Sequence, residues 1–135
     1  MDLALLDTDT LSCLLRSRSP RLVQVAESYR QEHGRFAFSA ITRYEIVRGL
    51  QIKNATTQLV QFMGVCNHSL VLPVSGTVLA NAADLWVHSR RHGLPRADAD
   101  LIIAATAISS GRVLITQNTR HFAHLPGLRI ANWSI

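Results

Sequence analysis

Lysine is almost missing from this chain: Lys53 is the only one among 14 basic residues, and the others are arginine. Cysteine is scarce too. With only Cys13 and Cys66, a disulfide scaffold is excluded, and two buried, reduced thiols are expected. No apolar run approaches the roughly 20 residues of a membrane span. The opening Met-Asp-Leu carries no basic flank, and Asp7 and Asp9 interrupt the first apolar stretch, so no secretory signal is read and a cytoplasmic protein is expected. Aromatics are 6% of the residues, which leaves no aromatic-rich stacking surface for single-stranded RNA. Acids number only nine, so where each one falls is informative.

What remains is a 135-residue chain, 47% hydrophobic and 17% charged. That length is one domain, spanning 1–135, with enough apolar material for a core and too much for a disordered chain. The formal charge is +5. Arginine's planar fork suits bidentate phosphate contacts, and a basic domain tends to meet polyanions. A base composition that favours arginine codons gives the same bias, so charge alone leaves the partner open.

Apolar runs alternate with helical patterns along the chain. Leu3 to Leu6 reads as a buried strand ending at Asp7, and Asp9 or Thr10 is placed to cap a short helix through Leu15. Pro20 opens a second helix that Gly34 stops. Arg35 to Phe38 is a second strand, and Ser39 caps a helix running to Leu50. Asn54 is placed to cap the next helix. Leu70 to Val74 is a third strand, bent at Pro73, and Ser75 starts a long helix ended by Gly93. Asp98 is read as the cap of a very apolar helix, Asp100 to Ser109. Arg112 to Ile115 is a fourth strand, a turn or short helix surrounds His121, and Leu128 to Ile130 is a fifth strand. This alternation predicts a parallel sheet in an α/β sandwich.

In such a sheet, ligands bind where the C-terminal ends of the strands share one edge. Asp7, Asp9 and Asn118 all follow strand ends and meet there by topology. Ser39, Thr42 and Glu45 can share the polar side of one helix. Asp100 stands at the lip of the segment Leu-Ile-Ile-Ala-Ala-Thr-Ala, where a carboxylate is partly desolvated and needs a partner. Gathered together, Asp7, Glu45 and Asp100 would repel one another unless a hard divalent ion, Mg²⁺ or Mn²⁺, offset their charge. Such an ion suits phosphodiester hydrolysis. From spacing alone, ordinary helix caps and a solvated Glu45 explain the same residues.

The motifs Leu5-Leu6-Asp7-Thr8-Asp9, Ser39-Ala40-Ile41-Thr42-Arg43-Tyr44-Glu45 and Asp100-Leu101-Ile102-Ile103-Ala104-Ala105 resemble PIN-domain ribonucleases. So do Gly111, Leu114-Ile115-Thr116, Asn118, His121-Phe122, Gly127-Leu128 and Trp133, all in the right order. The VapC-type toxins are the most similar group. The resemblance implies a three-layer α/β/α sandwich around a mainly parallel sheet of about four to five strands. It implies an Mg²⁺- or Mn²⁺-dependent endoribonuclease acting on RNA such as tRNA or rRNA, a homodimer, and a small VapB-like antitoxin as partner. Asp7 and Asp100 look like the principal metal ligands, with Glu45 as a third acid, direct or through water. Thr8, Asp9, Ser39 and Thr116 look like supporting or substrate-positioning residues.

One departure stands out. The family often has a further acid after the fourth strand; here 116–122 reads Thr-Gln-Asn-Thr-Arg-His-Phe, with no carboxylate, and Asn118 or His121 stands in its place. The Asn118 carbonyl can still coordinate, without adding charge. Arg90, Arg91 and Arg96 are the densest basic group and are candidates for RNA backbone contact as well as plain solvated surface. Two other readings stay open. One is an inert PIN-like module that binds RNA or protein. The other is a haloacid-dehalogenase-like phosphatase with Asp7 as nucleophile, although Lys53 precedes Thr116, the wrong order for that chemistry.

Overall fold

The computed structural model describes residues 1–135. The elements run β1 (Ala4–Leu6), α1 (Thr8–Leu15), α2 (Pro20–His33), β2 (Ala37–Ser39), α3 (Ala40–Ile52) and α4 (Thr56–Asn67). They continue with β3 (Leu70–Leu72), α5 (Gly76–Arg91), α6 (Asp98–Ser109), β4 (Val113–Ile115), α7 (Thr119–Phe122) and β5 (Ile130–Ala131). Serine sets three of the helix starts. Ser19 Oγ accepts from the Leu22 amide and Ser75 Oγ from the Val78 amide, both at 3.2 Å, while Ser39 Oγ accepts from the Ile41 amide. Pro20 occupies the first turn of α2, and Gly34, at φ 86°, ends it in a backbone conformation that suits glycine.

Several expected boundaries shift, for local reasons. α1 begins at Thr8 because Asp7, rather than Asp9 or Thr10, is the cap. α4 has Ala55 at its cap position with no side-chain bond, and Asn54 instead takes a left-handed turn at φ 53°. α6 starts at Asp98 with Ala97 at the cap. Asp98 and Asp100 therefore both lie inside the first turn, where the helix dipole favours negative charge. β3 stops at Leu72, just before Pro73, which has no amide hydrogen for a ladder.

Every strand pairing is parallel, with Leu6 opposite Ile115, Ile115 opposite Ala131 and Ser39 opposite Leu72. The expected single sheet is divided in two. One ladder has the order β1-β4-β5, and a second joins β2 to β3. β2 packs beside β1 without continuing the ladder. Strands of two or three residues have few hydrogen bonds with which to bridge that step.

The layers follow from the period-two alternation of the strands. Leu5, Leu114 and Ala37 point to one face and join Val78, Leu85, Leu101, Ala104 and Ala105 of α5 and α6. Ala4, Leu6, Phe38 and Ile115 point to the other face, against Leu11, Leu22, Tyr29, Phe62 and Trp133. The helices thus cover both faces and leave the strand ends open. No helix is long and apolar enough to cross a membrane.

Candidate metal centre

β1 ends at Leu6, β2 at Ser39, β4 at Ile115 and β5 at Ala131, so the residues that follow share one edge. α6 precedes β4 and packs on the sheet, which returns its first turn to that same edge. The topology thereby brings Asp7, Thr116, the start of α3 and the start of α6 to one rim.

Asp7 is the most constrained of these residues. Its amide donates to the Ile115 carbonyl at 3.0 Å, extending the β1–β4 ladder by one residue. Its Oδ1 accepts from the Thr10 amide at 2.7 Å and so caps α1. The residue is only 5% exposed and takes part in no ion pair. Burial pushes its carboxyl above the ordinary carboxylate range; hydrogen bonds from the Thr116 hydroxyl and the Thr10 amide offset part of this, and the Asp9 charge adds to it.

Glu45 lies in the second turn of α3. Its Oε1 accepts from the Thr8 hydroxyl at 2.7 Å, and Thr8 Oγ1 also lies 3.0 Å from Thr42 Oγ1. Thr8 has a single hydroxyl hydrogen, which goes to the carboxylate, so Thr42 must donate to Thr8. The other oxygen, Oε2, faces Arg48 at 3.7 Å, and Arg48 in turn rests over the Tyr44 ring. Asp100, in the first turn of α6, has its Oδ2 2.9 Å from His121 Nε2.

The remaining sequence candidates divide clearly. Thr8 supports Glu45. Thr116 is fully buried, and its Oγ1 accepts from the Asn118 amide at 3.0 Å. Ser39 is also fully buried, as the cap of α3, so it has no surface to offer a substrate. Asp9 is exposed and makes no hydrogen bond. Asn118 sits at the cap position of α7 with its side chain uncommitted. Arg90 and Arg91 are exposed at the end of α5, with Arg90 stacked over Trp86. Arg96 departs from the expectation of a free phosphate contact: its Nε donates to the His121 carbonyl at 2.8 Å and its Nη1 to the Pro95 carbonyl at 2.9 Å. The sequence places His121 only as one of two residues, with Asn118, standing where the family often has an acid, and gives no sign of its contact with Asp100. The one available signal was the lack of an acid in 116–122.

The donors at this rim fit a hard divalent ion. They are oxygens from three carboxylates, and the most buried of them, Asp7, carries no compensating cation. No group of three or more His, Cys, Asp or Glu side chains is placed to hold a metal ion by itself. Mg²⁺ keeps several waters and uses one or two carboxylates together with substrate phosphates, so it does not require such a group.

A small parallel α/β domain with Asp7 buried at the C-terminal edge of its strands, on a basic chain, is the class these features define. Residues 4–128 match the PIN domain, and the chain belongs to that family. It is 26% identical over 127 residues to the tRNA(fMet)-specific endonuclease VapC of Shigella flexneri, covering 93% of this chain and 96% of that one. It is 31% identical over 108 residues to Ribonuclease VapC1 of Methanocaldococcus jannaschii, covering 74% and 73%. The DNA-bound VapBC of Salmonella typhimurium contains a chain that superposes with a TM-score of 0.87 at 27% identity, covering 98% of this chain and 99% of that one.

Proposed function

We propose that this protein is a metal-dependent endoribonuclease and the toxin half of a VapBC-type pair. The observation that carries the reading is Asp7: a buried carboxylate without a cation, held by its own helix cap at the strand edge to which the topology also returns the starts of α3 and α6. Burying a charge in that way is costly unless something offsets it, and such a cost is typical of a site built for a ligand. The relatives named as VapC ribonucleases support the RNA substrate, and the solved VapBC complexes support a VapB-like antitoxin.

Asp7 and Asp100 would hold Mg²⁺ or Mn²⁺, with Glu45 acting directly or through water and the Asn118 carbonyl available as a neutral donor. Bound there, the ion supplies an activated water and offsets charge on the leaving oxygen. The chain's own residues do the rest. Thr8 and Thr42 keep one oxygen of Glu45 facing inward. The Asp7 cap fixes its carboxylate, and Thr116 restrains the turn into Asn118. Arg90 and Arg91 supply exposed positive charge for the RNA backbone. A homodimer is part of the reading: Leu79, Trp86 and Val87 on α5 leave an apolar face exposed, which a second copy would cover.

The test is cleavage of total bacterial RNA by the purified protein with Mn²⁺, with EDTA, and with Asp7→Asn and Asp100→Asn. Discrete fragments that need metal and vanish in both variants are expected. Cleavage that persists in EDTA or in either variant overturns the proposal. Growth arrest on expression, relieved by co-expressing an adjacent VapB-like gene, is the expected cellular counterpart.

A further inference from the structure

The Asp100–His121 contact has no place in the sequence pattern, because the stretch after β4 carries no acid. Its geometry is specific. His121 Nε2 lies 2.9 Å from Asp100 Oδ2, so that nitrogen must carry the hydrogen, whether the ring is neutral or charged. Only one carboxylate oxygen is engaged, and Oδ1 remains unshared.

The imidazole is held in place from several sides. Phe122, next to it, is buried, and the two rings meet edge to face at 5.0 Å. The His121 amide donates to the Asn118 carbonyl. The His121 carbonyl accepts from Arg96 Nε at 2.8 Å, which ties α7 to the loop leading into α6. That loop begins at the end of α5 and delivers Asp100. One arginine therefore joins the segment that carries the carboxylate to the segment that carries the histidine.

The pair is too open to be explained by stability. The two side chains are 30% and 34% exposed, and ion pairs of that exposure contribute little to folding. Orientation is the stronger account. A flexible carboxylate in the first turn of a helix can turn toward solvent, and an N–H donor on one oxygen leaves the other pointing in one direction. Partners of this kind set the affinity of metal-ligating carboxylates.

We infer that His121 is a positioning residue: held by Arg96 and Phe122, it restrains Asp100 through its Nε2 hydrogen on Oδ2 and leaves Oδ1 free for a metal. This rests on the proposed metal role of Asp100. Removing the donor is expected to weaken Mn²⁺ binding by about 10–100-fold.

The experiment is Mn²⁺ binding to the intact protein, measured by the EPR signal of free Mn²⁺ for wild type, Asp100→Asn, His121→Ala and His121→Gln, with thermal melts of each. Expected are a 10–100-fold weaker Kd for His121→Ala, recovery to within a few-fold in His121→Gln, whose amide restores a donor, and melting temperatures close to wild type. Wild-type affinity in His121→Ala overturns the inference, as does equal weakening in His121→Ala and His121→Gln. In both cases loss of binding in Asp100→Asn leaves the metal reading standing. If wild type binds no Mn²⁺, or Asp100→Asn binds as well as wild type, both ideas fall.

Discussion

Thr8 Oγ1 lies 2.7 Å from Glu45 Oε1, so a hydroxyl at the start of α1 restrains a carboxylate on α3 across 37 residues of sequence. The bond couples the two helices that begin at the strand edge. Thr8→Val keeps the shape and removes the donor. RNA cleavage by that variant is expected to fall about 10-fold or more, with Thr8→Ser close to wild type. Equal rates for Thr8→Val and wild type would show that Glu45 needs no such tether.

Asp7→Asn should separate stability from function. Asparagine caps a helix about as well as aspartate, so α1 keeps its start. The folded-state carboxyl is raised by burial, so in the metal-free protein it binds a proton more readily than in the unfolded chain. Its contribution to stability is full below the ordinary carboxylate range and is lost as pH rises through the raised value. At neutral pH the charged form is a burden, and the uncharged variant escapes it. Metal-free Asp7→Asn is therefore expected to melt above wild type at pH 7, while Mn²⁺ binding is lost. A lower Tm for metal-free Asp7→Asn at pH 7 would refute this account.

His124 gives the opposite pH sign. Burial, then the charge of Arg96 and of His88, His121 and His92, holds its imidazole below the ordinary value of 6.5. The unfolded chain therefore takes up the proton first. Stability is full above the ordinary histidine range and declines as pH falls through it toward the folded value. Thermal melts from pH 7.5 to 5 should show that decline, and His124→Gln should flatten part of it. Unchanged slopes in the variant would remove His124 as the cause.

Tyr29 is a test of the core. Its hydroxyl accepts from the Ala4 amide at 3.0 Å, where β1 enters the fold, and the side chain is buried. Tyr29→Phe leaves that buried amide without its partner, which costs about 1–3 kcal/mol. Urea unfolding with an unchanged m-value is the measurement.

The arginines near α6 should differ in salt response. Arg90 and Arg91 are exposed, whereas Arg96 is committed to two carbonyls. Replacing Arg90 or Arg91 with alanine is expected to reduce the slope of log affinity against log salt for RNA by about 0.7 each. Arg96→Ala should leave that slope alone. The reverse pattern would reassign the contacts.

The alternation of short apolar runs with helical patterns determined the α/β order by itself, because periodicity and caps are local properties. Ser39 and Ser75 cap where their positions indicated, and Gly34 ends α2 as read. Asp7 at a strand end was legible for the same reason. The tertiary structure alone decided the rest. It split the strands into two ladders, since a gap between β1 and β2 leaves no mark on either strand. It made Asp7 rather than Asp9 the cap, and committed Arg96 to two backbone carbonyls. It set Thr8 against Glu45 and His121 against Asp100, pairs 37 and 21 residues apart. Local propensity carries no information about which distant side chains will meet; that depends on how packing on both faces of the sheet returns each helix to the strand edge.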